Sequence, residues 1–263
     1  MGFGSPHLQA KGGATHMANP APVLNALASD GQWGEVARRL STLSPDQYEA
    51  LNSAYLEFLL EEAAAYSSVN PSVSAEAVGR MVVVLGSRLS GEVTGRVLET
   101  LSASGNLRAV EKVVCRIRES LKAEIPGERL DATLLNLAVY SQTDTLASAT
   151  AVTVFVIQMG AHVSGHGFGQ ALDTLSGYGN FDGVRGLTDY MARKDIPAFS
   201  LDNSMLNLVN FSQVDKKAAT RAVRDFSRKL SRLMTGAGLY QARQVLSGFG
   251  DLAGARACGG SFA

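Results

Sequence analysis

Apolar residues recur along this 263-residue chain at helical spacing, and they do so in sets that repeat. Val78, Met81 and Leu85 form one set, Val152, Phe155 and Met159 a second, and Val223, Phe226 and Leu230 a third. Positions i, i+3 and i+7 lie on one face of an α-helix, so each set predicts a helix with a single apolar stripe. "NFDGVRGLTDYMARKDIP" places Val184, Leu187 and Met191 on another such stripe. No segment alternates apolar and polar residues with period two, so no sheet is predicted.

Around these stripes the chain writes two phrases several times. "LSASGNLRAV" at 101–110 returns as "LSGYGNFDGV" at 175–184, as "LASDGQWGEV" from Leu27 and as "LSGFGDLAGA" from Leu246, so the anchor leucines stand 74, 74 and 71 residues apart. Between them lie "AYSSVN" around Tyr66, "VYSQTD" around Tyr140 and "NFSQVD" around Phe211, each followed twelve residues later by Val78, Val152 or Val223. Merging both sets gives seven anchors, Leu27, Ala63, Leu101, Leu137, Leu175, Leu208 and Leu246, spaced 36, 38, 36, 38, 33 and 38. A period in the thirties predicts helical hairpins that stack, because one hairpin cannot bury its own apolar face. The alternation makes odd and even units.

Turn chemistry supports a hairpin in each unit. Gly31, Gly105, Gly179 and Gly250 stand four residues after the odd anchors, where a first helix ends in a left-handed residue. Asn106, Asn180 and Asp251 follow and are suited to cap the second helix, with Gln32 the weaker member. In even units Asn70, Asp144 and Asp215 hold the capping place, and Pro71 suits the first helical position. The expected fold is therefore an all-α, right-handed α-solenoid of about seven helix-turn-helix repeats over residues 18–263, first helices inside and second helices outside. The last unit, "DLAGARACGGSFA", stops part-way through its second helix, which reads as an irregular cap or as an array that continues.

Composition narrows the function classes. Hydrophobic residues make up 46% and aromatics only 7%, a helical, Ala-rich balance. Lys plus Arg equals Asp plus Glu at 24 each, which argues against a uniformly basic nucleic-acid-binding body. The charge is unevenly spread: residues 212–263 hold nine basic against three acidic side chains, and residues 1–100 hold six against ten. Cys115 and Cys258 are too far apart for a CxxC zinc or redox motif, and Cys115 is expected as a small packing residue on a second helix, "NLRAVEKVVCRIRESL". The longest apolar run, "AVTVFVIQMGAHV", is shorter than the roughly 20 residues a bilayer span needs. Residues 1–17 are read as a leader, whether added, targeting or natural, outside the repeat domain.

At "LSGYGNFDGVRGLTDYMARKDIP" the chain resembles the pentatricopeptide repeat: an anchor leucine, a glycine four later, apolar Val184, Met191 and an Ile-Pro exit. The tetratricopeptide repeat is similar in length, but its Trp-Leu-Gly-Tyr pattern is not present. The resemblance implies binding of single-stranded RNA in mitochondria or plastids, in RNA processing, stability or translation. It implies one base per repeat, read by a side chain early in the first helix and another at the repeat end. Six residues before each anchor stand Ala21, Glu57, Gly95, Asp131, Gly169, Asp202 and Tyr240, where the family's pattern has Asn, Ser or Thr. The carboxylates of Glu57, Asp131 and Asp202 can accept from a base but repel phosphate. They can equally stabilise helix N-termini.

Other candidates are few. "DKKAATRAVRDFSRKLSRLM" at 215–234 is an amphipathic helix whose Lys216, Lys217, Arg221, Arg224 and Arg228 suit phosphate contact or an acidic partner. His162 and His166 in "HVSGHGFGQ" have i, i+4 spacing, but the glycines and the lack of a third ligand predict a loop and no metal site. Gly165, Gly167 and Gly169 lack the strand and the Lys-Ser/Thr of a nucleotide loop. No catalytic constellation is written, so the expectation is a binding protein without cofactor, membrane or small-molecule substrate. Its partner is RNA or, alternatively, a protein held as on a scaffold.

Overall fold

The computed structural model describes residues 19–191 and 194–259. The leader assigned to residues 1–17 lies outside the described residues. Among them the chain forms sixteen α-helices and no strand. Seven are first helices: α1 (Ala21–Ser29), α4 (Ser53–Ala65), α6 (Gly91–Ala103), α9 (Gly127–Val139), α11 (Gly165–Gly177), α13 (Ala198–Asn210) and α15 (Gly236–Gly248). Seven are second helices: α2 (Trp33–Leu40), α5 (Pro71–Leu85), α7 (Leu107–Val114), α10 (Thr145–Met159), α12 (Phe181–Met191), α14 (Lys216–Leu230) and α16 (Leu252–Gly259). Two short helices, α3 (Pro45–Glu49) and α8 (Glu119–Lys122), lie in the connections before α4 and α9.

Packing runs between neighbours. Each first helix from α4 to α13 packs on the next first helix, each second helix on the next second helix, and the two helices of each hairpin on one another. The apolar stripes form the contact surface: Val78, Met81, Leu85, Val152, Phe155, Met159, Val223, Phe226 and Leu230 are all buried. Six of the seven anchors are fully buried, and Leu27 is half-buried against the same core.

The glycine and aromatic phrases prove to be two halves of one contact. Gly105 and Gly179 have φ of 70° and 67°, and a Cβ on either would stand 2.7 Å from the ring of Tyr140 or Phe211. The turn therefore needs glycine twice, for its left-handed backbone and for the ring of the next unit lying on it. Gly250 has nearly the same φ, 68°, and no described residue lies within 4 Å of the place its Cβ would take. Caps fall where expected: Asn70, Asp144 and Asp215 accept from the N–H groups of Val73, Ala147 and Ala218. Asn106, Asn180 and Asp251 accept from those of Ala109, Gly183 and Gly254. Gln32 makes no side-chain cap bond.

Two local expectations are corrected. "HGFGQ" is helical, not a loop, because the Ser164 hydroxyl caps α11 by accepting from Gly167 N–H, and small residues let α11 approach its neighbours closely. α7 stops at Val114, one residue before Cys115, which is exposed rather than packed in the core. After a turn the chain restarts as α8, burying Leu121 instead.

Candidate functional site

The positions that the resemblance assigns to base reading fall into two kinds. In even units the carboxylates reach forward to the cap of the next first helix. Glu57 Oε1 accepts from Ser90 N–H at 2.7 Å. Asp131 accepts from both Ser164 N–H (2.9 Å) and Ser164 Oγ–H (2.5 Å). Asp202 does the same with Thr235 N–H (3.1 Å) and Thr235 Oγ–H (2.5 Å). Ser90, Ser164 and Thr235 are the N-caps of α6, α11 and α15, each accepting from a backbone N–H three residues on. Each carboxylate thus satisfies one more backbone donor near a positive helix end, and Asp131 and Asp202 also orient the capping hydroxyl. Where the acid is Asp, the third residue after the cap is glycine: a Cβ on Gly167 or Gly238 would stand 2.3 or 2.2 Å from the Asp131 or Asp202 carboxylate. Beside the longer Glu57 that place is Val93.

In the two inner odd units the same positions are glycines closed by the neighbouring hairpin. A Cβ on Gly95 would stand 3.0 Å from the Arg129 side chain, and one on Gly169 would stand 2.9 Å from Ser200 Oγ. The caps at these unit ends are Pro126 and Pro197, which make no side-chain bond. Ala21 accepts from Tyr55 O–H through its carbonyl at 3.2 Å. Tyr240 alone of the seven is an exposed large side chain, 65% accessible. Along the same series of helices, Arg96 bridges Glu61 (2.6 Å) and Glu92 (3.2 Å), and Arg129 bridges Glu99 (2.5 Å) and Glu92 (3.4 Å). The polar groups between α4, α6 and α9 are engaged with one another.

The basic segment forms α14, and Lys217, Arg221, Arg224 and Arg228 are exposed on one stripe at i, i+4, i+7 and i+11. Lys216 belongs elsewhere, donating to the Gly250 carbonyl at 2.9 Å in the turn after α15. Arg228 pairs with Asp225 at 3.3 Å. Lys217, Arg221 and Arg224 have no carboxylate partner among the described residues. Between α12 and α14 lies a groove of about 200 Å³ floored by Phe181, Val184, Ala222 and Phe226, with Arg221 at its edge.

A buried polar network went unread in the sequence. Ser67 and Ser74 hydroxyls bond at 2.7 Å, Ser74 also donates to the Ala63 carbonyl, and Asn106 Nδ2 donates to Ser67 Oγ at 2.9 Å. Ser141, Ser148 and Asn180 repeat it bond for bond. The signal was available as Ser-x6-Ser with an amide 32 residues on, present in both copies at the same spacing.

Among the described residues no three His, Cys, Asp or Glu side chains come together as a metal site, and no helix is long and apolar enough to cross a membrane. Cys258 is buried beside Ser227, which raises its thiol pKa through desolvation. Compared with family models, with curated proteins and with solved structures, the chain finds no match.

Proposed function

We propose that the chain is a right-handed superhelical solenoid of the pentatricopeptide-like kind that serves as a protein-interaction scaffold rather than as a base-by-base reader of RNA. One observation carries this reading: in the five inner units the positions that would contact a base are engaged within the protein or lack a polar side chain. In two even units the early carboxylate and the repeat-end hydroxyl bond to each other, and in the third Glu57 accepts from the Ser90 backbone N–H. In the two inner odd units the pair is glycine and proline, with nothing to offer a base edge, and the first and last have Ala21 and an exposed Tyr240 at the early place. The organellar placement and the absence of catalysis belong to the same reading and rest on the resemblance and on the lack of a catalytic motif.

The test is selection from a randomised single-stranded RNA pool at low and near-physiological salt. A scaffold retains RNA weakly if at all, loses it with salt and enriches no sequence. Enrichment of a defined sequence that survives near-physiological salt sinks the scaffold reading and restores base recognition.

A further inference from the structure

Counted from their caps, the even second helices carry different chemistry at the same register in three units. On α5 the stripe is Ser72, Glu76, Gly79 and Val83; on α10 it is Leu146, Thr150, Thr153 and Ile157; on α14 it is Lys217, Arg221, Arg224 and Arg228. The inward positions of the same helices stay large, apolar and buried throughout. Stacking uses the third place of the stripe, where Gly79 lies buried under Lys112 and Arg116 and Thr153 lies against Gly186; on α14 even this place, Arg224, is exposed, so the cations there answer to something other than the fold.

Neighbouring acids engage Arg228 of the four, and no described carboxylate pairs with Lys217, Arg221 or Arg224. Asp182 is paired with Arg185, Asp189 with Lys229 and Asp225 with Arg228. On α5, by contrast, Glu76 draws in Arg80 and Lys112, and that surface closes its own charges. The α14 stripe also borders the groove of about 200 Å³ against α12, with its apolar floor. Such a volume accepts one large apolar side chain, and cations along its edge favour carboxylates beside that anchor.

Building on the scaffold reading, we propose that this face of α14, with the α12–α14 groove, docks an acidic partner segment carrying one leucine- or phenylalanine-sized anchor. A carboxylate segment fits better than a phosphate chain. Asp182 and Asp225 line the groove but are paired with Arg185 and Arg228, so they do not choose between the two anions; the apolar floor, with Phe226 buried, suits a side-chain anchor rather than a stacked base.

The probe is a fluorescein-labelled, Glu-rich peptide of about twelve residues, enough to run the length of the stripe, with one central Phe. Its Phe→Ala version and an oligouridylate of equal length serve as comparators, all read by anisotropy on the full chain. The Phe peptide is expected to bind best and to weaken with salt, and K217E/R221E/R224E should weaken it by roughly tenfold or more. Ala218→Trp, which fills the groove, should reduce the Phe peptide to the level of its Ala version while leaving the charges in place. If charge reversal costs folding, seen as lost helical circular dichroism, the neutral triple Gln variant takes its place. Peptide binding that charge reversal leaves unchanged overturns the proposal, as does no peptide binding at all. Tighter binding of oligouridylate with the same dependence on the three cations also overturns it and assigns the stripe to phosphate. RNA sequence enrichment that persists in the triple variant sinks the scaffold reading instead, so the two failures are distinct.

Discussion

Ser212 carries the one buried side-chain oxygen without a hydrogen-bond partner among the described residues. Its equivalents Ser67 and Ser141 are satisfied by a second serine and by an asparagine. In the third copy those residues are Ala219 and Asp251, and the hydroxyl has moved one place to Thr220, which donates to Asp251 at 2.5 Å. A carboxylate has no N–H to give, so Ser212 is left over. An unsatisfied buried hydroxyl costs about 1–3 kcal/mol, and A219S/D251N, which rebuilds the network of the other two copies, is expected to stabilise the chain by about 1 kcal/mol or more in urea titration. No gain would show that the site rearranges or admits water. Asp173 offers a second case at this scale. Burial raises its pKa despite the hydrogen bonds it accepts from Ser204 and Asn203. A raised carboxyl pKa favours folding below the unfolded value and loses that contribution as pH rises through the folded one. Asp173→Asn should therefore raise the melting temperature at pH 7, with an advantage that shrinks steadily in more acid solution; an advantage independent of pH would point to packing.

At the scale of the helix, the acid-to-cap contact is the joint between an even unit and the next odd one. Asp131→Ala removes two bonds to Ser164 and leaves the α11 cap to an unsupported hydroxyl, so a loss of about 1–2 kcal/mol is expected. Gly167→Val should be at least as damaging, because its side chain would occupy the place of the Asp131 carboxylate; in the D131A background its penalty should shrink. Equal penalties in both backgrounds, measured as a double-mutant cycle, would refute the coupling. The sequence made the helices legible because stripe, cap and left-handed glycine are local signals, each resting on residues within one or two turns. It left the role of Asp131 open between base contact and helix-end support, because its partner lies 33 residues away and a carboxylate serves both. The same limit hid α8, where the apolar pattern ran on past Val114 while the backbone turned, and the Ser67–Ser74–Asn106 network, whose members come from two units.

At the scale of the whole chain, extensive contacts join hairpins that are neighbours in sequence, so stability is expected to be local units plus the interfaces between them. A defect then spreads only as far as those interfaces are stronger than the unit it weakens. Trp33, the sole tryptophan, reports on one end: it is buried in α2 and tilted against Tyr66 at 6.3 Å. Leu208 is buried in α13, four first helices beyond α4. Leu208→Ala opens a cavity costing about 2–5 kcal/mol. In urea it should lower the onset of helix loss by circular dichroism while leaving the Trp33 fluorescence midpoint where it was. The two probes, coincident or nearly so in the parent, should separate in the variant. A Trp33 midpoint that falls in step with the circular dichroism would mean that the interfaces bind all units into one cooperative block. A cooperative block would transmit partner binding at α14 to the far end of the chain, whereas separable units would confine it to the α13–α14 hairpin and its neighbours α12 and α16.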